Sequence, residues 1–420
     1  MSAAVEVRPA LDDELPRVGE LTAAAYLADG LLPADHSYVE ELRDATDRAR
    51  RATVLVAVDP GAAGAGAVVG TITLADAGTP YAEFATGDEV ELRMLAVDPA
   101  ARGRGVAEQL VRAALADAVG RGRRDVVLCT LDTMRAAHRL YARLGFTPRP
   151  ERDWGTEVDL RVHAWRAPEP PGVLVETATW PPLRVEDVQG WRVGLSRGVT
   201  RRAHSTVPLA EPADLAAAVD EVERLSAADG APAVFRTGDP GTPAGLVAEL
   251  DARGYVLGSV TDVLVCDVGP DAAERGQPRT AHGLRVLDAP DDAWLTAWLA
   301  GKGGDREVSR ALVAGAPATY LAAPGPDGSD VAVIRAATVD GWVALSCLQV
   351  APSARRHGLG RTLTDAALAV AARQGARRAF LQVEAENVPA RRLYEQLGFA
   401  LAHRYAYRVQ PSSGAVPGSC

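Results

Sequence analysis

A chain of 420 residues is longer than one hydrophobic core usually serves, so two or three domains are expected, each with its own core. With 47% hydrophobic and 24% charged residues the composition excludes a disordered or fibrous protein. A net charge of −10, spread rather than blocked, argues against a nucleic-acid partner. No run approaches about 18 apolar residues, and Met1 to Glu6 has neither a basic nor an apolar stretch, so a cytoplasmic protein without a membrane span is expected.

Val5 to Arg8 alternates as a short strand, and Asp12-Asp13-Glu14 opens a helix with acidic residues at its positive end, running to about Tyr26. Ser37 to Arg51 supplies a second helix. Thr53–Val58 and Ala67–Leu74 read as an antiparallel pair, and Glu89–Val97 as the next strand, closed by Pro99. Ala101 to Ala107 then forms a loop whose small residues let backbone N–H groups turn toward a ligand. The helix after it places Leu110, Val111, Ala114, Leu115 and Ala118 on one face. Oriented amides at that helix start, flanked by Arg102 and Arg104, make a pyrophosphate cradle. Asp125–Thr130 is a further strand. Ala137 to Phe146 closes the segment with Leu140-Tyr141 and Leu144-Gly145-Phe146.

A proline-rich linker, 167–172, ends this first domain (1–166), because Pro168, Pro170 and Pro171 fit neither a helix nor a central strand. Residues 173–270 read strand–helix–strand–helix–strand, with Arg201, Arg202 and His204 either in a solvated basic loop or lining an acceptor site. A second linker, 271–282, leads to a last domain, 283–410, and a flexible tail, 411–420. In that domain Leu348-Gln349-Val350 precedes a loop from Arg355 to Gly360, and Leu393-Tyr394 precedes Leu397-Gly398-Phe399. Arg102 and Arg355 lie 253 residues apart, and so do Tyr141 and Tyr394. A repeat held in register from loop to tyrosine is a duplicated module. Cys129, Cys266, Cys347 and Cys420 show no CxxC or metal spacing, so reduced thiols and no metal are expected.

Arg102-x-x-Gly105-x-Ala107 and Arg355-x-x-Gly358-x-Gly360, each followed by a Leu-Tyr-x-x-Leu-Gly-Phe ending, resemble the general N-acetyltransferase (GNAT) superfamily. The resemblance covers most of 1–166 and 283–410, and 173–270 resembles a degenerate GNAT half that would brace the last domain. It implies an α/β (α+β) chain of tandem modules. Each would be a mixed, mostly antiparallel sheet with a splayed central parallel pair flanked by helices. It further implies acetyl-CoA as co-substrate and an amine acceptor. Leu95, Ala96 and Val97, with Arg102, Gly103, Arg104, Gly105, Val106 and Ala107, would hold the cofactor in the first module. Leu348, Gln349, Val350, Arg355, Arg356, His357, Gly358, Leu359, Gly360 and Asn387 would do so in the last. Met134 stands where Asn387 stands in the second copy, so one polar contact is missing from the first.

Amine acylation needs a proton acceptor, an oxyanion stabiliser and an acid for the leaving thiolate. By the resemblance Tyr141 and Tyr394 are the acids. Glu91, beside the notch, is the expected base, with Glu89 on the same strand face as alternative. His138 is read as a surface or cofactor-edge residue. The last module has Ala344 where Glu91 would stand, and Glu384 is the substitute there. In layout the chain also resembles mycothiol synthase, distantly, being longer and in three segments. The alternative function is an acyl-CoA-binding regulatory or scaffolding protein with one or both modules non-catalytic.

Overall fold

The computed structural model describes residues 5–31, 33–61, 67–154, 159–269, 283–301 and 304–411. The chain divides into two units, 1–167 and 168–420. The expected linker 271–282 and the tail beyond Pro411 lie outside the described residues.

In the first unit seven strands form one sheet in the order β1-β2-β3-β4-β5-β7-β6. They are β1 (Glu6–Pro9), β2 (Thr53–Asp59), β3 (Ala67–Asp76), β4 (Val90–Val97), β5 (Asp125–Leu131), β6 (Thr147–Pro148) and β7 (Leu160–Arg166). The pair β4/β5 is parallel, as a crossover through a helix requires; its neighbours are antiparallel. The helices are α1 (Leu15–Ala28), α2 (Tyr38–Arg43), α3 (Ala45–Arg51), α4 (Val106–Gly120) and α5 (Arg135–Arg143). α1 buries Leu15, Val18 and Leu21 against Val54, Val56 and Val58. The opposite sheet face takes α4. Gly70, paired with Ala57 between those valines, has no side chain there because a Cβ would come within 2.9 Å of Val106 and Leu110.

The second unit is one sheet of eleven strands in the order β13-β14-β15-β16-β17-β12-β18-β11-β10-β9-β8. Its strands are β8 (Arg184–Val188), β9 (Trp191–Leu195), β10 (Thr206–Pro208), β11 (Val234–Thr237), β12 (Val256–Asp267), β13 (Arg285–Leu287), β14 (Ala318–Pro324), β15 (Asp330–Val339), β16 (Trp342–Val350), β17 (Arg378–Glu384) and β18 (Ala400–Val409). The helices are α6 (Val173–Thr179), α7 (Leu215–Ala228), α8 (Leu246–Ala252), α9 (Asp292–Leu299), α10 (Arg306–Ala314), α11 (Leu359–Arg373) and α12 (Val388–Gln396). Segments 173–270 and 283–410, read from sequence as separate, interleave: β12 pairs with both β17 and β18, and β18 in turn pairs with β11. β12 thus takes the place beside β17 that β7 takes beside β5.

Two of the apolar clusters in the second unit lie on opposite faces of β15. Leu363 of α11 packs with Ile334, Leu345 and Leu381. On the other face Trp294 and Trp298 of α9 and Leu312 of α10 pack with Trp180, Tyr320 and Val333. Val333 and Ile334 are successive on β15, and period-two alternation sends them to opposite sides.

Candidate functional site

Both central strands carry the same defect. β4 pairs with β5 only from Val90↔Val126 to Leu92↔Leu128, and β16 with β17 only from Trp342↔Arg378 to Leu345↔Leu381. Just beyond each ladder's end stands a bulge residue with left-handed backbone, Met94 (φ 53°) and Cys347 (φ 60°). The register with the strand on the other side shifts at the same point. Such a bulge bends its strand away from the neighbour. Ala96 and Val97 still pair with Thr71 and Gly70, and Gln349 and Val350 with Val333 and Ala332. On the open side Leu95, Ala96 and Val97, like Leu348, Gln349 and Val350, face a notch.

The loop below each notch repeats as well. Gly103 (φ 75°) and Gly105 (φ 78°) are left-handed, and Gly105 is the N-cap of α4 with no side chain capping it. Arg356 (φ 65°) and Gly358 (φ 79°) do the same before α11. Arg356 holds without glycine a conformation that costs an L-residue about 1–2 kcal/mol. A Cβ on Gly103, Gly105 or Gly358 would meet nothing within 4 Å, so the cradles are open on the ligand side. Uncapped amides at a helix start, a left-handed turn and an open strand edge fit a pyrophosphate with an extended amide-bearing arm. In the first loop Arg102 is bonded to Asp29 at 2.7 and 3.1 Å. Arg104 pairs with Asp59 at 2.7 Å and holds that carboxyl below its usual range. In the second, Arg355 Nε donates to the Val350 carbonyl at 3.2 Å. Among the described residues no carboxylate pairs with Arg355, Arg356 or His357. Val106, Ala107, Leu359 and Gly360 are the first residues of the two helices.

Tyr141 and Tyr394 are buried on α5 and α12, edge-on to Phe146 and Phe399 at 5.5 and 5.6 Å. Burial raises both phenols, which keeps them protonated and able to donate. His138, read as a surface or cofactor-edge residue, is half-buried, with Nε2 2.8 Å from Thr130 Oγ1 near the end of β5. Asn387 caps α12, its Oδ1 accepting from the Ala390 amide at 3.2 Å; Met134 at the matching place caps nothing.

Glu91 sits on the α1 face of β4 and is 1% exposed. Its Oε2 accepts three consecutive loop amides, Glu83, Phe84 and Ala85, at 2.7, 2.6 and 3.1 Å. Its Oε1 lies 3.8 Å from Arg93 Nε. Glu89 is held by Arg152 at 2.7 and 2.9 Å and by the Thr86 amide at 2.8 Å. Burial opposes its ionisation, but these partners outweigh it and keep the carboxyl below its usual range. Sequence reasoning missed the residues that join them. Arg93 donates to Tyr38 Oη at 2.9 Å and pairs with Glu83 at 2.7 Å, and Tyr26 lies 6.5 Å from Tyr38. Arg93 was readable as a same-face neighbour of Glu91, two residues on; Glu83, in a loop, had no such signal.

The second unit presents a cleft of about 510 Å³ on the α9 face, lined among others by Trp180, Arg201, Arg202, Cys347 and Glu384. Arg201 lies 3.7 Å from Glu384, and Arg202 stacks 4.8 Å from the Trp180 ring centre. His204 is buried elsewhere, its ring meeting the Ser196 amide and the Pro232 carbonyl, and burial lowers its pKa. Ala344 is core. Beneath the cleft Arg236 is bonded to Asp239 at 2.6 Å and Glu176 at 2.8 Å. Among the described residues no group of three or more His, Cys, Asp or Glu could hold a metal ion, and no helix is long and apolar enough to cross a membrane.

A bulged strand parting from its parallel neighbour above a left-handed turn and a helix start, found twice, defines a GNAT fold, and the GNAT acetyltransferase family matches residues 20–146. The chain belongs to the family described as "Probable histone acetyltransferase Rv0428c C-terminal", which matches residues 175–408. Streptothricin acetyltransferase of Streptomyces lavendulae is 31% identical over 124 residues, 29% of this chain and 65% of the relative. Mycothiol acetyltransferase of Beutenbergia cavernae is 54% identical over 52 residues, 12% of this chain and 18% of the relative. The chain therefore spans less than two thirds of either relative. Among solved structures, a GCN5-related N-acetyltransferase from Kribbella flavida aligns at 19% identity and TM-score 0.41 over 55% of this chain and 91% of that one. A protein from Salmonella typhimurium solved with its cofactor acetyl-CoA aligns at 23% and 0.30 over 39% and 94%.

Proposed function

We propose that this chain is a cytoplasmic, acetyl-CoA-dependent N-acetyltransferase acting on an amine of a small molecule or peptide by direct attack in a ternary complex. The observation that carries it is the repeated opening of the parallel ladder, with a buried phenol whose hydroxyl meets no hydrogen-bond partner among the described residues. An ammonium first gives one proton to a carboxylate and on to solvent. The neutral nitrogen then attacks the thioester carbon, so a C–N bond forms and the C–S bond breaks. Tyr141 or Tyr394 hands its proton to the leaving sulfur and recovers the one the nitrogen sheds as the amide forms.

In the first module we assign Glu91 a positioning role, because its Oε2 is committed to three loop amides. Proton acceptance falls to Glu83, half exposed on the loop that Glu91 fixes. The names of the relatives and of the family differ (streptothricin, mycothiol, histone), so no acceptor is carried over. A second reading, an acyl-CoA sensor in the last module, is favoured by Ala344 at the place of Glu91. Acetyl-CoA calorimetry on the wild type and on Gly105→Glu and Gly358→Glu tests both. Two sites, each lost with its own variant, support two working cradles. A single site identifies the binding module, and no binding at all refutes acetyl transfer.

A further inference from the structure

Half of the residues lining the cleft in the second unit come from the middle segment, and the chemistry of the wall differs from that of the chain as a whole. Three guanidinium groups, Arg197, Arg201 and Arg202, line it against one carboxylate, Glu384, in a chain of net charge −10. The lower carboxylates are not at its surface: Glu176 is buried and bonded by Arg236 and Gln382. Trp180 and Trp298, with ring centres 6.2 Å apart, make an aromatic flank. At its inner end the cleft reaches Cys347, the bulge residue, and Gln382 and Glu384, which lie past the last β16/β17 pair at Leu381. None of the loop from Arg355 to Gly360 lines it. A molecule in the cleft therefore meets the notch from the sheet face opposite α11.

We infer that this cleft is the acceptor site of the C-terminal module and takes an amine that also carries an anionic group, a carboxylate or a phosphate, on an aromatic or apolar body. The inference rests on the acetyl-transfer reading. Arg201 and Arg202 hold the anion, the aromatic flank holds the body, and Glu384 receives the ammonium beside the notch. The middle segment is thus a specificity wall as well as a brace. A basic, lysine-rich chain such as a histone arm would meet like charge here, so it is the discriminating competitor.

The test uses the full chain carrying Gly105→Glu, so that turnover reports the C-terminal module. Phenethylamine, L-phenylalanine (the same amine with a carboxylate), O-phospho-L-tyrosine and a lysine-rich peptide are compared by acetyl-CoA-dependent thiol release and by quenching of tryptophan fluorescence. The expected result is a kcat/KM at least about tenfold higher for one of the anionic amines than for phenethylamine. That preference should fall about tenfold in Arg201→Gln and in Arg202→Gln and be partly kept in Arg201→Lys. Saturable quenching by an anionic amine that Arg201→Gln abolishes supports the site even without turnover. If phenethylamine or the peptide is preferred while acetyl-CoA binds, the acceptor class is refuted and acetyl transfer stands. If calorimetry finds no acetyl-CoA binding, acetyl transfer fails and the acceptor assignment fails with it.

Discussion

Replacing Glu91 by Gln separates a positioning carboxylate from a catalytic one. Three backbone amides converge on its Oε2 within 3.1 Å, and the side chain is 1% exposed. A hydrogen bond to a charged group contributes about 1.5–3 kcal/mol, and a charged acceptor is roughly twice as strong as a neutral one. Glutamine keeps an acceptor oxygen but loses the charge, and its NH₂ group gains nothing from Arg93. Because the three bonds share one oxygen they do not add fully, so a local loss of about 2–4 kcal/mol is expected, or roughly 30- to 1000-fold in the opening of residues 83–85. Amide hydrogen exchange reads this directly. Glu91→Gln should accelerate exchange at Glu83, Phe84 and Ala85 by that factor and weaken turnover at the N-terminal module through misplacement of Glu83. Unchanged exchange at those three amides together with lost turnover would refute the positioning argument and make Glu91 itself the proton acceptor.

The remaining expectations are more direct. Tyr141→Phe and Tyr394→Phe should leave thermal stability nearly unchanged, since neither hydroxyl is bonded within the described residues, and should cut thiol release at the corresponding module by about 10²-fold or more. Arg236→Ala takes the guanidinium from the buried Glu176 and Asp239 and leaves them only Gln382 and His403 as side-chain partners. Breaking such a cluster costs about 3–5 kcal/mol, which a thermal melt of this unit should show as roughly 6–20 °C. Burial lowers the pKa of His204 below that of the unfolded chain, so the folded state binds fewer protons between the two values. Its contribution is full above the ordinary histidine pKa of about 6.5 and declines as pH falls through it. His204→Gln should flatten that part of a stability–pH curve, and an unaltered slope would place the titrating group elsewhere.

What could be read from the sequence was whatever repeats locally. The 253-residue spacing, noticed between arginines and tyrosines, also relates Met94 to Cys347 and Gly103 to Arg356, which share left-handed backbone in the structure. A loop motif and its helix start carry their geometry in a few adjacent residues, so both turns and the helices they open were legible. Strand order was not. Val260 to Val265 looks like any closing strand, and nothing in its alternation says that it inserts between β17 and β18 instead of ending its own segment. Strand pairing at this separation is decided by the whole sheet, not by propensity. Glu91 illustrates a second blind spot. The residues that claim its oxygen do so with backbone amides, which every non-proline residue carries and no sequence pattern marks.

The two modules keep one backbone frame and diverge on the sheet face opposite α4 and α11. In the first, Glu91 and Arg93 on β4, with Glu83 from the loop, form a polar cluster under α1 and α2. In the second the matching strand position is Ala344, buried among Trp342 and Phe380, so no carboxylate can approach the notch from β16. The polar groups there come instead from the end of β17 and from residues 197–202 of the middle segment, brought to the sheet because β12 is woven into it. Under the proposed function the duplicated frame would bind the same thioester twice, while the absence of a carboxylate on β16 and the arginines of residues 197–202 would change what it can accept. Charge reversal at Arg201 is therefore the single change expected to move the second module's preference toward that of a cationic amine. Arg201→Glu should raise kcat/KM for phenethylamine relative to L-phenylalanine by about tenfold or more in the Gly105→Glu background. A ratio unmoved by the reversal would mean that the cleft does not select by charge.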